Sequence, residues 1–228
     1  MNPPAKAKSS TTPASVPGTH TTPKQHKGLS IQRVFTTPGN DPLEEVQYEK
    51  RNSRIANTDG SVVFEMEGAE IPAGWGQVAA DIMVSKYFRK AGVPQFNENG
   101  ELQHDDKGEV VTGPERSAKQ VIRRLAGCWR HWGQQYGYFE TAQDAQTFED
   151  ELGYMLVHQM AAPNSPQWFN TGLNYAYNIT GPPQGHFYCE PETGKVKKSE
   201  DAYTHPQPHA CFIQSVKDDM VNEGGIMD

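Results

Sequence analysis

Cysteine is scarce: Cys128, Cys189 and Cys211 are the only three in 228 residues. Three thiols cannot build a disulfide framework. No stretch approaches the roughly 20 apolar residues that a membrane-spanning helix needs. The first residues, Met1 to Thr12, carry two lysines but no apolar segment, so they do not read as a secretory signal. A surplus of positive charge is also missing. The net charge is −7, which argues against a general binder of nucleic-acid backbones. There is no Gly-x-Gly-x-x-Gly and no phosphate-loop pattern, so a generic nucleotide-binding fold is not indicated. Together these absences leave a chain expected in a reducing cytoplasm, where thiols are catalytic, metal-bound or inert. Hydrophobic residues make up 35%, a low share, so part of the chain is expected outside any core.

What is present divides by composition. Met1 to Lys27 is rich in Pro, Thr, Ser and Lys without apolar periodicity, and residues 1–28 are expected to be a disordered tail. Val46–Ile55 and Val62–Met66 read as strands flanking Asn57-Thr58-Asp59-Gly60, a hairpin turn signal. After Pro72, the residues Trp75, Val78, Ala79, Ile82, Met83 and Lys86 follow helical spacing, and Gly92 and Pro94 end that pattern. Gln95 to Gly113 is polar and dotted with glycine, and is expected to be a loop. A second helix is predicted from Pro114, with Val121, Ile122, Leu125, Trp129 and Trp132 as its apolar stripe. Its Lys119, Arg123 and Arg130 read as a solvated face rather than a nucleic-acid contact, given the acidic whole. Thr141-Ala142-Gln143-Asp144 is a capping sequence that opens a third helix, with Ala145, Phe148, Leu152, Met155, Leu156 and Gln159 on one face. Pro163 ends it. The helices suggest a mostly helical domain over residues 29–160, with no internal repeat.

Beyond Ala162 the chain is expected to be turn-rich, and Gly181 to His209 reads as a long irregular stretch. Ala210 to Val216 then reads as a buried strand, and Asp218-Asp219 as the start of a helix. The chain stops at Gly224–Asp228 inside what reads as an element, which predicts that it is the front of a longer protein.

Three groups of residues could carry chemistry. His186-x-x-Cys189 and His205-x-x-x-His209-x-Cys211 have ligand-like spacing for zinc, although polar loop histidines would look the same. Cys211, entering a strand with His209 beside it, could be a reactive thiol or a small core hydrophobe. The Asn164-Ser165-Pro166 turn could hold an anion or be structural alone.

Two segments carry a resemblance. Ala162-Pro163-Asn164-Ser165-Pro166-Gln167-Trp168-Phe169-Asn170-Thr171-Gly172, and later Pro206-Gln207-Pro208-His209-Ala210-Cys211-Phe212-Ile213-Gln214-Ser215-Val216, resemble the large subunit of adenosylcobalamin-dependent (class II) ribonucleotide reductase. Arg33 to Gly39 and Val84 to Arg89 resemble that family's N-terminal domain. The resemblance implies an α/β fold: a helical N-terminal domain, then, over residues 161–228, the first part of a ten-stranded α/β barrel that is incomplete in this chain. It implies radical reduction of ribonucleoside diphosphates, with adenosylcobalamin bound mostly outside these residues. It implies deoxynucleotide effectors and a thioredoxin-like external reductant, with no nucleic-acid or membrane partner. By the same resemblance Cys211 is one of a redox-active cysteine pair. Ser165, Ala210 and Cys211 contact substrate, Asp218 contacts an effector, and no residue here ligates a metal. The radical cysteine and the second redox cysteine are expected beyond Asp228, so the piece is not expected to turn over alone. The competing expectation is a small zinc-binding or interaction module built on His186, Cys189, His205 and His209.

Overall fold

A computed structural model describes residues 28–97, 99–190 and 192–206. The tail expected at 1–27, the strand expected at Ala210–Val216 and the helix expected at Asp218 lie outside the described residues. So do His209, Ala210, Cys211 and Asp218.

The expected hairpin is present. Strand β1 (Tyr48–Ala56) pairs antiparallel with β2 (Val62–Pro72), from Ala56 opposite Val62 to Tyr48 opposite Pro72. Gly60 takes φ +86 in the turn, a conformation that Gly adopts without a Cβ penalty. The second strand runs six residues past the predicted Met66. The register slips between Arg51 and Ser53, where the Asn52 side-chain oxygen accepts from the Gly68 N–H at 2.9 Å. That bulge lets pairing continue beyond the point where sequence alternation is lost.

Helix α1 (Gln77–Ile82) runs into a π-helical turn, Met83–Tyr87, closed by the Phe88 N–H donating to the Met83 carbonyl at 2.9 Å. The wide turn changes which residues face inward. Ala80, Met83, Val84 and Phe88 are buried, whereas Val78 (73% exposed), Ile82 and Lys86 face outward. Of the predicted stripe, Trp75 and Met83 are buried, whereas Val78 and Ile82 face outward ahead of the π-turn. Beyond it the inserted residue shifts helical phase, so Lys86 points outward and Phe88 inward.

Gln95 to Gly113 is not the irregular loop expected, and it contains the repeat that was not expected. Strand β3 (Val93–Pro94) pairs with β4 (Thr112–Gly113), and between them the chain makes two copies of one turn. In the first, the Asn97 side-chain oxygen accepts from the Asn99 and Glu101 N–H groups. In the second, Asp105 accepts from Lys107 and Glu109. Gly100 and Gly108 close them at φ +78 and +80. A closed ring of backbone bonds joins the lobes: Gln95 donates to Val111, Val111 to Gln103 and Gln103 to Gln95, each at 2.9 Å. The repeat unit is too short and polar to show as periodicity. Its signal is an Asx residue followed by a glycine.

Helices α2 (Ala118–Gln135) and α3 (Ala142–Val157) pack on each other, and α2 packs on the hairpin. Helix α2 starts four residues after the predicted Pro114, because Ser117 and Gln120 form a reciprocal capping box there. Thr141 and Asp144 cap α3 in the same way, as expected. Leu43, Ile71, Trp75, Phe88, Val121, Ile122, Leu125, Leu156 and Trp168 share one core. The basic residues on α2 are paired: Lys119 with Glu44, Arg123 with Asp41 and Glu44, Arg130 with Glu149.

Beyond Pro163 come helices α4 (Ser165–Asn170) and α5 (Leu173–Tyr177), then a hairpin of β5 (Phe187–Glu190) and β6 (Lys195–Lys198). The last corrects part of the irregular stretch predicted over 181–209. Its turn is closed by Gly194 donating to the Glu190 carbonyl. The described residues are mixed α and β with three two-stranded sheets and no closed barrel among them.

Candidate functional site around Ser165

Ser165 opens α4, so the Asn164-Ser165-Pro166 segment is a helix start rather than an isolated turn. Pro166 suits this position because the N–H it lacks has no intrahelical acceptor there. The Ser165 Oγ lies 3.0 Å from the hydroxyl of Tyr87, and both groups are open to solvent. The Tyr87 ring stacks on Trp168, with centroids 5.6 Å apart, and tilts against Phe169 at 5.4 Å. Tyr87, Pro163 and Trp168 also wall a cleft of about 260 Å³ whose other sides are Trp75, Met83 and Leu156.

What fixes this pair is a buried ion pair beneath it. The Arg124 Nε donates to Glu115 Oε1 at 2.7 Å, and both side chains are fully buried. The other guanidinium nitrogens donate to the carbonyls of Thr171 and Trp168, each at 2.7 Å, and of Tyr87 at 3.3 Å. Glu115 also accepts from the Arg89 N–H and the Tyr177 hydroxyl. One planar cation therefore ties α2 to the π-turn that carries Tyr87 and to the C-terminal half of α4, whose first residue is Ser165. A five-donor fork can do this where an ammonium cannot. Burial, and then the Glu115 charge, push the Tyr177 hydroxyl pKa up, so it stays protonated and donates. Gly172 sits against α2 at φ +80, and a Cβ there would lie 2.1 Å from the Arg124 carbonyl. Sequence reasoning missed Glu115, Arg124 and Tyr87. The available signal was a charge, Arg124, one residue before Leu125 and three after Val121 on the apolar stripe of α2.

Cys128 is 1% exposed on that stripe, as expected for a core residue, and burial pushes its thiol up to about 12. It is not a reactive thiolate. Cys189 is exposed on β5, a strand rather than the irregular loop expected there. The zinc module finds no support. The His186 Nε2 lies against the His205 carbonyl at 3.0 Å, and the His205 ring stacks on Tyr188 at 3.8 Å. Burial, with His186 nearby, lowers the His205 pKa. Among the described residues no three His, Cys, Asp or Glu side chains converge on a metal position.

The site thus offers two hydroxyls on a rigid base beside an aromatic cleft. That arrangement can bind and orient a polar ligand.

Residues 49–159 match the family model described as class II vitamin B12-dependent ribonucleotide reductase, and the chain belongs to that family, in its N-terminal part. It is 52% identical over 218 residues to a protein of Bradyrhizobium diazoefficiens named vitamin B12-dependent ribonucleotide reductase, covering 88% of this chain and 17% of that protein. A protein of the same name from Agrobacterium fabrum is 52% identical over 216 residues, with 88% and 17% covered. One from Streptomyces clavuligerus is 39% identical over 199 residues, with 86% and 16% covered. The chain therefore spans about 17% of the length of the most similar of these relatives. No helix of the described residues is long and apolar enough to cross a membrane.

Proposed function

We propose that this chain is the N-terminal part of a cytoplasmic ribonucleotide reductase that converts ribonucleoside diphosphates to 2′-deoxyribonucleotides for DNA synthesis. The observation that carries the reading is the 52% identity, over 88% of the chain, to proteins named vitamin B12-dependent ribonucleotide reductase. On this reading residues 161–228 begin a ten-stranded α/β barrel. Ser165, Ala210 and Cys211 contact substrate, and Asp218 contacts a deoxynucleotide effector. Adenosylcobalamin is the cofactor and, when bound, supplies the radical that starts the reaction. On this reading its binding site lies mostly outside these residues.

Cys211 acts as reductant. The substrate's C2′–O bond breaks and water leaves. Cys211 and a second cysteine together give up two electrons and two protons, and close to a disulfide that a thioredoxin-like protein reopens. Residues 1–228 do not turn over alone. Cys211→Ser in the full-length enzyme tests this assignment. Nucleotide binding should persist while deoxynucleotide formation over multiple turnovers is lost, and Cys211 should drop out of the oxidised thiol count. Turnover at the parent rate overturns it.

A further inference from the structure

Tyr87 stands 78 residues before Ser165 in sequence, yet their hydroxyls are 3.0 Å apart. Three features hold it there. The π-turn buries Met83, Val84 and Phe88 and leaves the Tyr87 side chain half-exposed. Trp168 and Phe169 pin its ring. Arg124 grips the Tyr87 carbonyl and the Trp168 carbonyl with one nitrogen, so the two carriers cannot drift apart independently. The core does not need the hydroxyl. Phenylalanine would stack equally well, and among the described residues the oxygen's one hydrogen-bond partner is Ser165. A π-turn is a rare irregularity in a helix and is frequently found at functional sites.

We propose that Tyr87 is a positioning residue for substrate: its hydroxyl fixes the Ser165 hydroxyl so that the paired oxygens present one donor to the ribonucleotide. This rests on the reading of Ser165 as a substrate contact. A hydroxyl free to rotate loses orientational entropy on binding, and Tyr87 removes part of that loss beforehand.

The test uses the full-length enzyme with CDP as substrate. Tyr87→Phe should raise KM about three- to tenfold, the worth of one hydrogen bond. The value of kcat should stay within about twofold, and the melting temperature should not move, because the ring remains. Ser165→Ala should raise KM by at least as much, and adding Tyr87→Phe to it should have little further effect. If Ser165→Ala raises KM and Tyr87→Phe does not, Tyr87 is only a stacking residue and the inference fails alone. Additive effects, or a lowered melting temperature in Tyr87→Phe, overturn it as well. If Ser165→Ala leaves KM unchanged, the substrate role of Ser165 falls and takes this inference with it.

Discussion

Arg124 and Glu115 are both fully buried, and water can stabilise neither charge. Removing a charge from water costs several kcal/mol, and only mutual pairing plus complete hydrogen bonding offsets it. The offset is unusually full here, since Arg124 also serves the carbonyls of Thr171, Trp168 and Tyr87. Arg124→Met leaves Glu115 charged, buried and half-partnered. It should lower unfolding free energy by about 3–5 kcal/mol, measured by urea denaturation. Adding Glu115→Leu should recover part of that loss, which would separate the cost of a stranded charge from lost packing. Gly172 is a second residue without tolerance. Gly172→Ala combines a positive φ with a Cβ 2.1 Å from the Arg124 carbonyl. At Gly137, where φ is +67 and nothing lies within 4 Å, alanine meets only the backbone strain. Gly172→Ala should therefore destabilise well beyond the roughly 1 kcal/mol expected for Gly137→Ala. Equal losses would show that α4 and α5 can shift away from α2.

At the scale of elements, a signal was legible where an element carries its own start or turn chemistry. Thr141 and Asp144 announce α3 and form the box seen there. Asp59-Gly60 announces the β1–β2 turn. The α2 start was missed by four residues because the Ser117–Gln120 box was not weighed against Pro114. The β5–β6 hairpin was hidden because its strands hold Lys195, Lys197 and Lys198 and pair only with each other, with little alternation to read. Past Met83 the inward face was hidden for a different reason: hydrophobic spacing assumes one helical period, and the π-turn changes it there. Thr141→Ala removes a side-chain acceptor from the Asp144 N–H and a donor to the Asp144 carboxylate. It should cost about 1 kcal/mol, measured by thermal or urea denaturation. An unchanged stability would mean that the contacts of α3 with α2 hold its first turn without the cap.

At the scale of the molecule, the arrangement of the core was largely readable and the charge placement was not. Leu125, Val121 and Leu156 are core by pattern and by structure. Asp144, Asp150 and Glu151 are charged residues outside the apolar stripe of α3, yet all are buried beneath residues 30–36. The cover is polar: the Ile31 N–H donates to Asp144 at 2.8 Å, Arg33 pairs with Asp150 at 2.6 Å, and the Phe35 and Thr36 N–H groups with the Thr36 hydroxyl donate to Glu151. Apart from the Phe35 ring, which stacks on Tyr154 at 5.3 Å, the segment docks through polar groups, and these leave no hydrophobic trace in a sequence. Its chemistry makes it sensitive to acid. The Asp144 carboxyl is held below its ordinary value of 3.8, chiefly by the Thr141 hydroxyl and then by the Ile31 N–H. At Glu151 burial works against the charge, but the Thr36 hydroxyl and the N–H groups of Phe35 and Thr36 prevail and hold it below 4.5. A depressed folded pKa contributes stability that is full above the unfolded value and is lost as pH falls through the folded one. The attachment of residues 30–36 should thus be full well above pH 4.5, begin to weaken below 4.5 through Glu151 and weaken further below 3.8 through Asp144. Hydrogen exchange of the Ile31, Phe35 and Thr36 amides, corrected for intrinsic rates, should show protection falling in that window. Protection within α2 should persist to lower pH. Glu151→Gln should abolish much of the pH dependence at Phe35 and Thr36 while leaving that at Ile31. Protection that falls equally in α2 and at Ile31 would mean that acid unfolds the domain as a whole rather than releasing this segment first.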